Sequence, residues 1–232
     1  MTAEGFGILH LGTSAPEAAV QAAWSGCTAN VIVFLFTLVL FILNFGNFLH
    51  LLPEALSCIF RSKPNIGLEH NIHSSAERNT TAWVLMPAFA MIADRYRLYN
   101  PSFLSWLPYG WSLLATALVI LAFIACRYIF YPFRPHDLRG DVSKAAHNVL
   151  YTCFIGMMCV VLPTACITLM VHTPDGVARN ILLYEIAFFF LLSVIRTAQF
   201  LARQCSVFST FSYLCALELI PAALVTVSAW II

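Results

Sequence analysis

Charge is scarce in this chain. Of its 232 residues only 10% are Asp, Glu, Lys or Arg, while 60% are hydrophobic; an average soluble domain is about 25% charged. No soluble core of this size can hide that much apolar surface. The first 28 residues hold no Lys or Arg and no compact apolar core, so a cleavable secretory signal is not expected. The net charge is only +1, and no basic cluster is interleaved with aromatics, which argues against a nucleic-acid partner. Short alternating strands are missing too, which excludes a membrane β-barrel. So are a glycine-rich phosphate loop, a Ser-His-Asp order in polar segments and a zinc-protease helix motif. These gaps weigh against a hydrolase or an ATPase and leave an intramembrane enzyme as a third-ranked reading.

What is present is a series of apolar runs of helix-spanning length, about 20 residues each, the signature of an all-α polytopic membrane bundle. Residues 1–28 read as an arm ending near Trp24, and residues 29–232 as one helical domain with spans near 30–52, 79–93, 108–131, 147–171, 181–202 and 207–231. The segment 79–93 is short and contains Pro87. If it crosses, Arg61, Lys63, Arg78, Arg127, Arg134, Arg139, Lys144, Arg196 and Arg203 share one side, leaving only Arg95, Arg97 and Arg179 on the other. That asymmetry predicts six spans with both termini outside. A re-entrant or interfacial segment, giving five spans, is the alternative.

Pro53 to Thr80 reads as the longest water-exposed loop, and Pro132 to 146 as a second one on the same side. Both are candidate docking places for a protein partner. His70 and His73 stand three apart, but nothing is spaced to complete a tetrahedral set, so no metal is expected. No cofactor is expected either: His50 and His147 could face one another across a haem, yet both sit at helix edges beside polar loops. Pro108 to Tyr131 opens on Trp106, Tyr109 and Trp111, an interfacial aromatic belt. Arg127, in its last turn, is read as snorkelling to the interface. Pro163 predicts a kink in the fourth span. Of the eight cysteines, Cys126, Cys153, Cys159, Cys166 and Cys215 lie in apolar runs and read as small hydrophobes.

The polar groups inside apolar runs locate the interior, because a charge at mid-bilayer costs roughly 2.5–3.5 kcal/mol on insertion scales. Asn44, Asn47 and His50 follow one another at three-residue steps, with Thr37 one heptad above Asn44, and Gly46 among them would permit close helix contact. Glu218 lies midway along 207–231, three residues before Pro221, which removes a helical hydrogen bond from the carbonyl near Leu217. If 181–202 and 207–231 form an antiparallel hairpin, Arg196 falls roughly 7–8 Å along the axis from Glu218. An Arg196–Glu218 ion pair is therefore expected, acting either as a clasp between helices or as part of a proton or cation site. Glu185 is expected near the outer face, at the depth of His172. It either contacts that histidine or reaches water. His50, His147 and His172 are the candidate ligand or proton-relay positions.

The run Tyr213-Leu214-Cys215-Ala216-Leu217-Glu218-Leu219-Ile220-Pro221, preceded by Arg196 and an aromatic-rich turn, resembles the closing signature of a family of uncharacterised integral membrane proteins from the Bacteroidota, domain of unknown function 4271. The resemblance covers roughly Ile181 to Ile232. It implies a location in the cytoplasmic membrane of a Gram-negative bacterium and brings no activity with it. The leading expectation is a non-enzymatic membrane scaffold or accessory subunit. A small secondary transporter centred on Glu218 and Arg196 comes second.

Overall fold

The structure, a computed structural model, describes Trp24 and residues 26–60, 72–99, 109–130, 141–204 and 206–231. The arm before Trp24, the segment 61–71 with His70, the belt residue Trp106 and the loop 131–140 lie outside the described residues, as does the side chain of His73. Every element is helical: α1 Thr28–Phe60, α2 Ile72–Arg95, α3 Tyr109–Phe130, α4 Asp141–Met170, α5 Asp175–Gln204, α6 Val207–Leu214, a π-helical turn Cys215–Leu219, and α7 Ile220–Ile231. The last three are one continuous rod.

Contacts between remote residues fix the direction of each helix. At one end of the bundle Trp24 meets Asp94, Ser112 meets Asp94, Arg95 meets Asp175, Tyr96 meets Thr168, and Tyr99 meets Ser228. The start of α1, the end of α2, the start of α3, the end of α4, the start of α5 and the end of α7 thus share this Trp24 end. Their opposite termini gather where His50 approaches Glu77. Six rods alternate in direction.

Three stretches are long and apolar enough to cross a membrane: Thr28–Ser57, Ala146–Met170 and Asp175–Ala202, with a shorter apolar stretch at Trp111–Arg127. Helix α2 is not among them, although its 24 residues would reach about 36 Å. Its position explains its composition. It packs against α1, α3 and α4, and Arg78, Thr81, Ala82, Leu85, Ala90, Ala93 and Asp94 are all buried. A helix walled by protein is not required to look like lipid. Small residues at Ala82, Ala90 and Ala93 let its neighbours approach closely, and the helix continues through Pro87.

The main core joins α1, α2, α4 and α5 through Leu51, Leu85, Ile155, Met158, Val161 and Leu182. The C-terminal rod is not its centre. Its main contact with α5 is through α6, beside the turn, and it then lies along α3. Ser206 fixes that turn by capping α6, its hydroxyl accepting the Ser209 N–H at 3.3 Å. The expected hairpin between 181–202 and 207–231 is therefore replaced by a second layer, α3 with the C-terminal rod, leaning on α2.

Several boundaries differ from expectation for local reasons. Helix α1 continues through Pro53 to Phe60, and α2 begins at Ile72, so most of the proposed loop Pro53 to Thr80 is helix. Likewise α4 starts at Asp141 and passes through Pro163. It ends on a left-handed His172 (φ 53), where the Thr173 N–H bonds the Thr168 carbonyl at 3.0 Å. The Pro174 carbonyl then accepts from Val177 and Ala178, and α5 begins six residues before the expected Ile181.

On α1, Asn30, Thr37, Leu51 and Ala55 face the bundle, a heptad series that includes half-buried Asn44 and Phe48. Asn47 and His50 stand off this series and are exposed. Nothing lies within 4 Å of where a Cβ on Gly46 would sit, so it makes no close helix contact, contrary to expectation. Gly46→Ala should leave thermal stability unchanged or raise it by up to about 1 kcal/mol through helix propensity. A fall in Tm would show that this face is covered.

Candidate functional site

Among the described residues the most buried carboxylate with an ionic partner is Glu218, 2% exposed, and its partner is Arg127 on α3 rather than Arg196. The Arg127 Nη2 donates to Glu218 Oε1 at 2.7 Å. Arg127 therefore does not snorkel away: its guanidinium turns inward because a carboxylate at that depth is more costly to leave uncompensated than the side chain is to order. Arg196, half-buried on α5, has its Nη1 donating to Gln199 Oε1 at 3.2 Å.

Backbone irregularity aims Glu218. Pro221 has no N–H to give and crowds the carbonyl four residues before it. The chain responds by widening over Cys215–Leu219, where the Ile220 N–H bonds the Cys215 carbonyl, a five-residue step. One extra residue in that turn rotates α6 against α7, and Glu218 faces α3 from within it. Turns of this kind concentrate at functional places because the helix can locally repack there. His147, half-buried on α4 with its ring edge-on to Tyr151 at 4.4 Å, stands within electrostatic reach of Arg127.

The other expected residues disperse. Glu185 lies ten residues into α5, about 15 Å from its start, because α5 begins early. It accepts from the Thr164 hydroxyl at 2.8 Å, and its second oxygen is buried without a hydrogen-bond partner. His172 is exposed and serves as the left-handed end of α4, so the expected Glu185–His172 neighbourhood does not form. Asn44 donates back to the Leu40 carbonyl of its own helix at 3.1 Å. His50 lies 3.7 Å from Glu77 with 71% of its side chain exposed. Among the described residues no group of three or more His, Cys, Asp or Glu could hold a metal ion.

A second polar centre has no counterpart among the residues singled out by sequence. Asp94, 4% exposed in the last turn of α2, accepts the Trp24 indole N–H at 2.8 Å on Oδ2. Its Oδ1 receives the hydroxyls of Ser112 and, at 3.4 Å, Thr116. The main-chain carbonyl of Trp24 in turn accepts from Asn30 Nδ2 at 3.1 Å. The only signals available were an acid closing a short apolar run and two hydroxyls four residues apart on the next helix. Both also fit a water-facing loop and a helix surface. Nearby, Arg95 reaches Asp175 at 3.4 Å, joining the C-terminus of α2 to the N-terminus of α5, each charge complementing its own helix dipole.

No family model, no curated protein and no solved structure matches this chain.

Proposed function

We propose that the protein is a non-enzymatic, membrane-embedded scaffold or accessory subunit, crossing a bacterial cytoplasmic membrane six times with the Trp24 end on the periplasmic side. The observation that carries this reading is the closed Arg127–Glu218 contact, 2.7 Å long with the carboxylate 2% exposed. It ties the C-terminal rod to α3 rather than opening onto a path. The alternating direction of the six rods supports the crossing number, and the cations assigned to the Glu77 end support the orientation. The resemblance of the closing segment to the Bacteroidota family agrees with the location.

The π-turn favours a second reading, a small carrier in which the rod repacks around Glu218 as Arg127 releases it. Replacing the pair by leucines, Arg127→Leu with Glu218→Leu, separates the two. A scaffold keeps its fold, its stoichiometric co-purification from mild detergent and its ability to complement a deletion strain. Proton-coupled uptake into liposomes by the wild-type protein alone, lost in the folded double variant, would replace the scaffold by the carrier.

A further inference from the structure

The outward face of α5 carries a donor and an acceptor that the single chain leaves unused. Val177, Ile181, Tyr184, Phe188, Leu191 and Ile195 are all exposed, and they recur at alternating steps of four and three residues. That is the spacing of a seam along which two helices supercoil. It lies opposite the stripe of Leu182, Phe189 and Ser193 that is buried in the bundle. An apolar seam alone suits lipid as well as protein, but Tyr184 does not. It is 78% exposed, nine residues into α5 and about 13.5 Å along the helix from the Arg95–Asp175 layer. Among the described residues its hydroxyl has no hydrogen-bond partner. Interfacial tyrosines sit at helix ends, as Tyr109 does at the start of α3. The next residue, Glu185, supplies the missing half: one of its oxygens accepts from Thr164 and the other has no donor. Among the described residues no Lys, Arg or His pairs with it. Consecutive residues of one helix do not face each other, so Tyr184 cannot serve Glu185 within the same chain.

We infer that α5 is the interface of a homodimer in which Tyr184 of each copy donates its hydroxyl to Glu185 of the other. Two copies inserted through a membrane in the same sense are related by a two-fold axis along its normal, so their α5 helices run parallel. In a parallel pair with this repeat Tyr184 takes the d position. Its side chain enters a hole formed by Ile181, Tyr184, Glu185 and Phe188 of the partner subunit. The register thus sets the unused donor beside the unused acceptor, once on each side of the axis. Glu185 Oε2 is enclosed in the single chain, so the carboxylate must turn about its terminal bond, a soft torsion, to offer one oxygen to Thr164 and one to the incoming hydroxyl. A second copy fits this face better than an unrelated helix, because the chain itself carries the required donor at the required depth. Neither Arg127 nor Glu218 takes part, so the dimer stands for a scaffold and for a carrier alike.

The test is the monomer–dimer equilibrium of the full chain in mild detergent, followed by sedimentation as the ratio of protein to detergent is varied. The wild-type chain should dimerise reversibly. Tyr184→Phe removes only the hydroxyl and should raise the dissociation constant about tenfold, because the two-fold axis counts each lost interhelical bond twice. Glu185→Gln keeps an acceptor oxygen and should stay within about threefold of wild type. Oxidation in membranes locates the seam. Leu191→Cys, at the next d position, should form an intermolecular disulfide that the wild type and Leu121→Cys, on the exposed face of α3, do not. A wild-type chain that stays monomeric at every ratio overturns the dimer and leaves this face to lipid. A dimer indifferent to Tyr184→Phe, or one cross-linked through Leu121→Cys and not through Leu191→Cys, overturns the assigned contact.

Discussion

Arg127→Ala should cost the protein about 3–5 kcal/mol, because it leaves the Glu218 carboxylate buried and uncompensated. Glu218→Ala should cost a comparable amount by stranding the guanidinium, whose side chain is only 16% exposed. The paired change to leucines should recover most of the loss, since replacing both members of a buried pair with apolar groups is often neutral or better. Arg196→Ala should cost about 1 kcal/mol, well below the Arg127→Ala loss, because half-buried Arg196 donates to a neutral partner, Gln199, and not to a buried carboxylate. Thermal unfolding of the variants in one detergent, arranged as a double-mutant cycle, gives the coupling directly. A large loss from Arg196→Ala with little from Arg127→Ala would restore the partner inferred from the sequence and reject the one found here.

Glu218 is legible in the sequence as an interior group because its depth in an apolar run, and Pro221 three residues on, are local facts. Its partner is not, because consecutive helices joined by a short turn ordinarily pack side by side and these two do not. The rod turns away after α6 and lies on α3, a choice governed by surfaces that no spacing within 181–232 encodes. The same distinction runs through the fold. The long apolar helices α1, α4 and α5 are readable from composition, and the structure retains them. Helix α2 is ambiguous because hydropathy reports contact with lipid, whereas α2 touches mainly protein. Its buried Arg78, Thr81 and Asp94 lower the very signal used to find a span. Helix ends move outward wherever a local device goes unseen in the sequence, as at His172 with its positive φ. That shift alone carries Glu185 from the interface to well inside α5. Asp94 escapes for a further reason: its role depends on Trp24, 70 residues earlier.

Asp94→Ala should lower stability by about 3 kcal/mol, more than any other single change at the Trp24 end. The substitution removes one acceptor yet strands several donors. The Trp24 N–H is part-buried and has no alternative carbonyl assigned to it, and the Thr116 hydroxyl is itself in a buried residue. A buried donor deprived of its partner loses about 1–3 kcal/mol, and bonds to a charged acceptor lie at the upper end of the range for hydrogen bonds. The losses do not add fully, because the donors share one carboxylate. Asp94→Asn retains an acceptor oxygen and should cost about half as much. Trp24→Phe keeps the ring and removes only the N–H, so it should cost about 1–2 kcal/mol. Hydrogen exchange locates the damage: in Asp94→Ala the amides at the start of α1 and α3 should lose protection, while those around Glu218 keep theirs, since the two centres share no residue. Uniform loss of protection through the rod 207–231 would mean instead that Asp94 supports the whole bundle, and that the Trp24 end and the Arg127–Glu218 clasp open as one cooperative unit.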